Sequence, residues 1–169
     1  MRGLLDRAYD AAAYLAAACL IGLLAMILLS IVSRQMHVFG PGTDAYAGYL
    51  MAAAGFLALA HTLKRGEHIR VTLFLARTRG AWRRGLEIWA LGITALLAVA
   101  FAWFSLRLGW QSYAFNDIST GNDATPLWIP QLAMGAGACL FAIALIDEFV
   151  AELRGRRTAA EPEGALHNE

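Results

Sequence analysis

The side chains able to do chemistry are few and poorly placed for it. Asp44, His61, Glu87, Arg107 and Asp147 lie nearest the long apolar runs, each at the end of a run rather than inside it. A charge in mid-membrane costs about 2.5–3.5 kcal/mol on insertion scales and is kept in pumps and coupled carriers because it binds an ion or proton. Its absence argues against a lone proton-coupled carrier, although backbone carbonyls remain available as ion ligands. A haem or quinone anchor needs histidines that converge at one depth from two helices. His37 follows the first run, whereas His61 and His68 lie at the opposite side, so His37 shares no iron with either; His61 and His68 read as interfacial hydrogen-bonding residues. Cys19 and Cys139 fall inside apolar runs, where cysteine packs as a small hydrophobe. No Cys and His spacing suggests zinc, and no nucleophile and base pair, phosphate-cradling loop or carboxylate dyad stands out. The run Ser119-Thr120-Gly121-Asn122-Asp123 reads as a polar turn. The chain is therefore expected to be no enzyme and to carry no catalytic, metal, cofactor or substrate site.

The elements that hold these residues follow from composition. Of 169 residues, 59% are hydrophobic and 16% charged, against about a quarter charged in a soluble domain. Four apolar stretches, at about 9–32, 45–63, 88–106 and 127–146, are each long enough as a helix to cross a bilayer, which predicts an all-α integral membrane protein. Such spans leave little polar surface for nucleic acid. The first exceeds the apolar core of a signal peptide and is preceded by Asp6 and Asp10 as well as Arg2 and Arg7, so a retained span is expected. Residues 154–169 read as a polar, disordered tail beyond a four-helix domain at 1–153.

Direction comes from charge. Residues 61–85 hold Lys64, Arg65, Arg70, Arg77, Arg79, Arg83 and Arg84 against one acid, Glu67, and basic residues beside a span resist translocation. With Arg2, Arg7, Arg154, Arg156 and Arg157 on the same side, both termini are expected inside, while 111–125, with no Lys or Arg, lies outside. Within the basic loop, Ile69, Val71, Leu73 and Leu75 alternate with Arg70, Thr72 and Phe74. An open strand in lipid would leave its backbone unpaired, so a short interfacial helix between spans two and three is expected, broken by Gly80, Trp82 and Gly85.

Several residues are expected to position the spans. Thr43 or Asp44 caps span two and Thr125 caps span four, with Pro126 in its first turn and Pro130 either there or at a bend. Ala45, Gly48, Ala52 and Gly55 form a small stripe of the kind that lets helices approach closely in lipid. Trp82 and Trp89 at one end of span three, and Trp103, Trp110 and Tyr113 at the other, with Trp128 on span four, mark the two interfaces. Arg107 can reach headgroups with its long stem, or pair with Asp117 or Asp123. The basic loop, with Arg77, Arg83 and Arg84, is suited to anionic lipid at about 1 kcal/mol per residue.

The segment from Ser33-Arg34 through Asp44 to Leu63, closing with Gly66-Glu67-His68-Ile69-Arg70-Val71, resembles the small membrane subunit of tripartite ATP-independent periplasmic (TRAP) transporters, the DctQ family. Ser119-Thr120-Gly121, Thr125-Pro126-Leu127-Trp128-Ile129-Pro130 and the Gly-rich stretch from Met134 to Gly137 are similar to its last loop and fourth helix. The resemblance implies a bacterial inner-membrane scaffold that braces a large elevator-type subunit, with a periplasmic binding protein capturing an organic acid and sodium bound on the large subunit, not here. It also implies a structural turn or a partner contact at Gly66 to Val71, the stretch that holds His68 and Arg70. An aromatic and a Glu are usual near the start of span two in the family; Thr43, Asp44 and Ala45 stand there instead, so a pairing of Arg34 with Asp44 is the expected substitute. Read from the residues alone, a self-sufficient homo-oligomeric transporter and a haem or quinone anchor remain alternatives.

Overall fold

The structure, a computed structural model, describes residues 2–36, 42–65, 81–121 and 123–154. It contains four helices: α1 Arg2–Gln35, α2 Thr43–Lys64, α3 Ala81–Ala114 and α4 Trp128–Leu153. All four are long and apolar enough to cross a membrane. They overrun the apolar windows because Arg, Glu, Gln and Ala at the flanks are good helix formers and the backbone ladder continues past the last buried side chain. Trp82 and Gly85, expected to break the chain, lie inside α3; one Gly costs a helix only about 1 kcal/mol, which the remaining turns absorb. The interfacial helix expected in the basic loop lies outside the described residues, as does the tail from residue 155.

The substantial contacts join α1 to α2, α2 to α4 and α4 to α3, so the helices form an open series with α1 and α3 at its ends. Burial patterns match this order. On α1 the less exposed positions include Tyr9, Ala12, Ala16, Cys19, Leu23, Met26, Ser30 and Ser33, with Leu5, Ala8, Ala13 and Gly22 flanking them, and on α3 Ile88, Leu91, Ala95, Ala98, Ala102, Ser105, Gly109 and Ser112, with Glu87 and Gly92 beside them. Both stripes step by three and four residues in turn, the repeat that keeps one seam facing one partner. The middle helices bury broader arcs: Ala53, Ala54, Leu57, Ala60 and Leu63 on α2, and Gly135, Gly137, Ala138, Ala142, Ala144, Leu145 and Glu152 on α4.

Small residues set the spacing, because association in lipid depends on close van der Waals contact rather than on escape from water. A Cβ on Gly137 would stand 2.5 Å from the backbone carbon and oxygen of Phe56, so α2 and α4 touch main chain to main chain there. Gly92 faces the Phe149 ring and Gly135 faces Leu106, at 3.3 and 3.2 Å from a built Cβ.

Both cap expectations are corrected. Gly42, not Thr43 or Asp44, is the N-cap of α2, and no side chain bonds to the helix N-terminus; Asp44 is engaged elsewhere. Helix α4 begins at Trp128 behind Leu127, likewise without a side-chain cap. Thr125 and Pro126 belong to the preceding turn, where Ile118 bridges Pro126 and Ser119 N donates to Thr125 O at 2.9 Å. Pro130 is the third residue of α4, where the missing N–H would have had no helical acceptor.

Candidate functional site

The polar side chains gather at the two ends of the helix series. At the end carrying the 115–127 loop, both oxygens of Asp44 are used: Ser30 Oγ donates to Oδ1 and Arg34 Nη2 to Oδ2, each at 2.9 Å. Arg34 and Asp44 therefore do pair, clamping the last turn of α1 to the first turn of α2. Both are largely exposed, so the ion pair itself adds at most about 1 kcal/mol; the buried Ser30 hydroxyl fixes its geometry.

A second carboxylate holds the loop. Tyr49 Oη donates to Asp123 Oδ2 at 3.0 Å and Ser119 Oγ to Oδ1 at 2.8 Å, while Thr125 Oγ1 donates to Tyr46 Oη at 3.3 Å. The rings of Tyr46 and Tyr49 meet edge to face at 6.2 Å. Asn116 and Ala124 occupy left-handed backbone conformations at φ 51° and 46°, which cost non-glycine residues energy that the surrounding bonds offset. Desolvation opposes ionisation of Asp123, but the hydrogen bonds it accepts, those from Ser119 and Tyr49 among them, outweigh it and lower its pKa to about 2. Because the folded value is depressed, this anchor is at full strength above the ordinary carboxylate range near 4 and fades only as pH falls toward 2. Hydrogen exchange of residues 115–127, corrected for the intrinsic pH dependence, should show unchanged protection from pH 7 to pH 5. Asp123→Asn should loosen the loop throughout that range, and loosening of the wild-type loop between pH 7 and 5 would contradict the assignment.

At the opposite end, Lys64 Nζ lies 2.9 Å from Asp6 Oδ1, 3.9 Å from Asp147 Oδ2 and 5.0 Å from the centre of the Tyr9 ring. His61 Nδ1 approaches Asp10 Oδ1 at 3.5 Å. One lysine thus ties α1, α2 and α4 together. Trp82, 80% exposed, joins Gly85, Leu86 and Trp89 around an open hollow of about 500 Å3.

The remaining expected contact residues divide by location. Gly48, Ala52 and Gly55 are exposed, and a Cβ on either glycine would meet nothing within 4 Å. The small stripe is real, but within this chain it is open; α2 turns Ala53, Leu57 and Ala60 to its neighbours instead. Trp128 is half-buried, its ring 5.8 Å from that of Tyr113, and Arg84 is exposed. His68, Arg70 and Arg77 lie outside the described residues, as do His37 and the side chain of Arg83. Arg107 pairs with neither Asp117 nor Asp123: α3 runs seven residues past it to Ala114, about 10 Å, before the loop begins. Sequence reasoning missed Tyr46, Tyr49, Gly42 and Ser30. It also missed the α3 seam, whose signal was the alternating three and four spacing of Ala98, Ala102, Ser105, Gly109 and Ser112. Among the described residues no group of three His, Cys, Asp or Glu is placed to hold a metal ion.

The arrangement is two polar clamps joined by close-packed apolar helices, a geometry suited to holding shape. The family model for tripartite ATP-independent periplasmic transporters, DctQ component, matches residues 23–155. The chain belongs to the DctQ family. No curated protein matches it. The matched range takes in the C-terminal part of α1, from residue 23 on, and all of α2, α3 and α4, so both the Asp44 clamp and the Asp123 anchor belong to the DctQ region. As a DctQ component it is a small membrane component of a TRAP transporter and sits in a bacterial inner membrane; the family serves transport rather than catalysis.

Proposed function

We propose that this DctQ chain is a scaffold, bracing the large elevator-type membrane subunit of its transporter while that subunit carries an organic acid inward on a sodium gradient. On this reading the acid arrives on a periplasmic binding protein, and the substrate and sodium sites lie on the large subunit. Both chain termini face the cytoplasm and the 115–127 loop faces the periplasm, as the charge distribution favours.

The observation that carries the proposal is the open series of helices. A ring of four would hide its inner faces, whereas α1–α2–α4–α3 leaves broad apolar surfaces uncovered, and on α2 one of them is built from Gly48, Ala52 and Gly55. An exposed small-residue stripe in lipid is suited to close approach by a helix of another chain. The clamps at both ends keep that surface stiff, which a brace against a moving domain requires. Arg34, Asp44, His68, Arg70, Arg77, Arg83, Arg84, Trp82 and Trp128 complete the proposed contacts with the large subunit and with lipid.

The test is reconstitution. Proteoliposomes holding the large subunit and the loaded binding protein should take up substrate only when this chain is present, while the affinity of the binding protein for its acid stays the same. Uptake at the full rate without the chain would end the scaffold reading.

A further inference from the structure

Helix α3 carries a cation, Arg107, that has no ion-pair partner among the described residues. Ala98, Ala102, Ser105, Gly109 and Ser112 face α4, and at about 100° per residue Arg107 falls on the opposite side of the helix. It is exposed, and no ion pair or hydrogen bond joins it to any described residue. The same free face holds Trp103 one turn before it and Trp110 one turn after it, 67% and 71% exposed, with Gln111 exposed beside them. Further down this face Ala100 and Leu96 are also exposed, a track of low relief leading toward mid-membrane.

These groups share a chemistry. A guanidinium presents paired N–H donors that match two oxygens of one phosphate, and the Gln111 amide and the indole N–H groups add neutral donors. Indole rings settle at the headgroup level of a bilayer, which puts Arg107 at the depth of phosphodiesters and not of free solute. An uncompensated cation beneath a helix end needs an anion, and the described residues offer none there: Asp123 is committed to Tyr49 and Ser119, and the loop lies about 10 Å farther along the helix.

We propose that Arg107, with Trp103, Trp110 and Gln111, forms a binding site for the phosphodiester of a single membrane phospholipid, one acyl chain of which lies along Ala100 and Leu96. The site is separate from the open stripe on α2 and does not depend on the bracing role.

The full-length chain, purified in dodecyl maltoside with the subunits that accompany it and supplied with phosphatidylglycerol or phosphatidylcholine, tests this by native mass spectrometry. Both lipids should give one retained molecule whose occupancy falls about fivefold in Arg107→Ala, the factor that a ~1 kcal/mol contact between a basic residue and a headgroup represents. Arg107→Lys should keep an intermediate share. Arg107 is exposed and makes no ion pair or hydrogen bond with a described residue, so these variants should fold, with unchanged helical circular dichroism. Equal lipid retention by wild type and Arg107→Ala would overturn the proposal, as would displacement of the lipid by millimolar inorganic phosphate, which would indicate a free-anion site. Release of a co-purifying protein by Arg107→Glu at unchanged lipid occupancy would likewise overturn it, assigning Arg107 to a protein carboxylate.

Discussion

Replacing Gly137 by Ala is expected to destabilise the helix assembly by about 1–3 kcal/mol, the range for overpacking a contact that cannot relax. The new methyl would stand 2.5 Å from the carbonyl carbon and oxygen of Phe56 and 2.9 Å from its Cβ. Backbone atoms cannot swing aside as a side-chain tip can, so α2 and α4 must move apart. Separation by a fraction of an ångström weakens dispersion along the whole seam, including Ala60, Ala138 and Ala142. Ala regains up to about 1 kcal/mol of helix propensity over Gly, which offsets only part of the loss. A bulkier Gly137→Val, with no comparable return, should prevent the seam from closing. Thermal unfolding in detergent, with Gly48→Ala as the reference, reads the effect: Gly48 faces open space, so its substitution should leave the isolated chain at or slightly above wild-type stability. A Gly137→Ala protein that melts with that reference would mean that α2 and α4 do not meet main chain to main chain.

The second large effect is expected at Gly42. Its φ of 85° lies in the left-handed region, which costs an ordinary L-residue roughly 1–2 kcal/mol. A Cβ there would also fall 2.8 Å from Asp123 Cβ and 3.1 Å from its Cα. Gly42→Ala should therefore strain the entry to α2 and push Asp123 from Tyr49 and Ser119, loosening the 115–127 loop. The two causes separate by substitution. Gly42→Asn tolerates the backbone better but keeps the clash, whereas Gly42→Ala combined with Asp123→Gly removes the shortest contact, at 2.8 Å, and keeps the strain. A double-mutant cycle between positions 42 and 123 should show favourable coupling of about 0.5–3 kcal/mol. Additive effects would mean that the clash is absent and that only backbone strain operates.

These two glycines show where sequence reasoning stopped. The pattern of Gly48, Ala52 and Gly55 resembles a packing seam, and so does that of Ala98, Ala102, Ser105 and Gly109; only the second is filled by this chain. A small-residue stripe records how near another helix can come, not which helix comes. Gly137 stood in a recognisable Gly-rich stretch, but its contact with Phe56 joins residues far apart in sequence, and no local spacing encodes it. The same holds for Tyr49 and Asp123, 74 residues apart. Arg34 and Asp44 were legible because only ten positions separate them in sequence. Thr43 and Thr125 were plausible caps by residue type, yet the carboxylate and hydroxyls nearby were drawn into contacts between elements, which propensity does not register.

The sequence by itself determined the number and extent of the apolar spans and the likeness to the DctQ family, because a bilayer demands about twenty apolar residues per crossing and family motifs are local. Only the tertiary structure decided the order α1–α2–α4–α3, the open face of α2 and the exposed position of Arg107 opposite the α3 seam. Those depend on which of several equally apolar faces pack against one another, and in lipid that choice is made by atomic fit rather than by hydrophobicity.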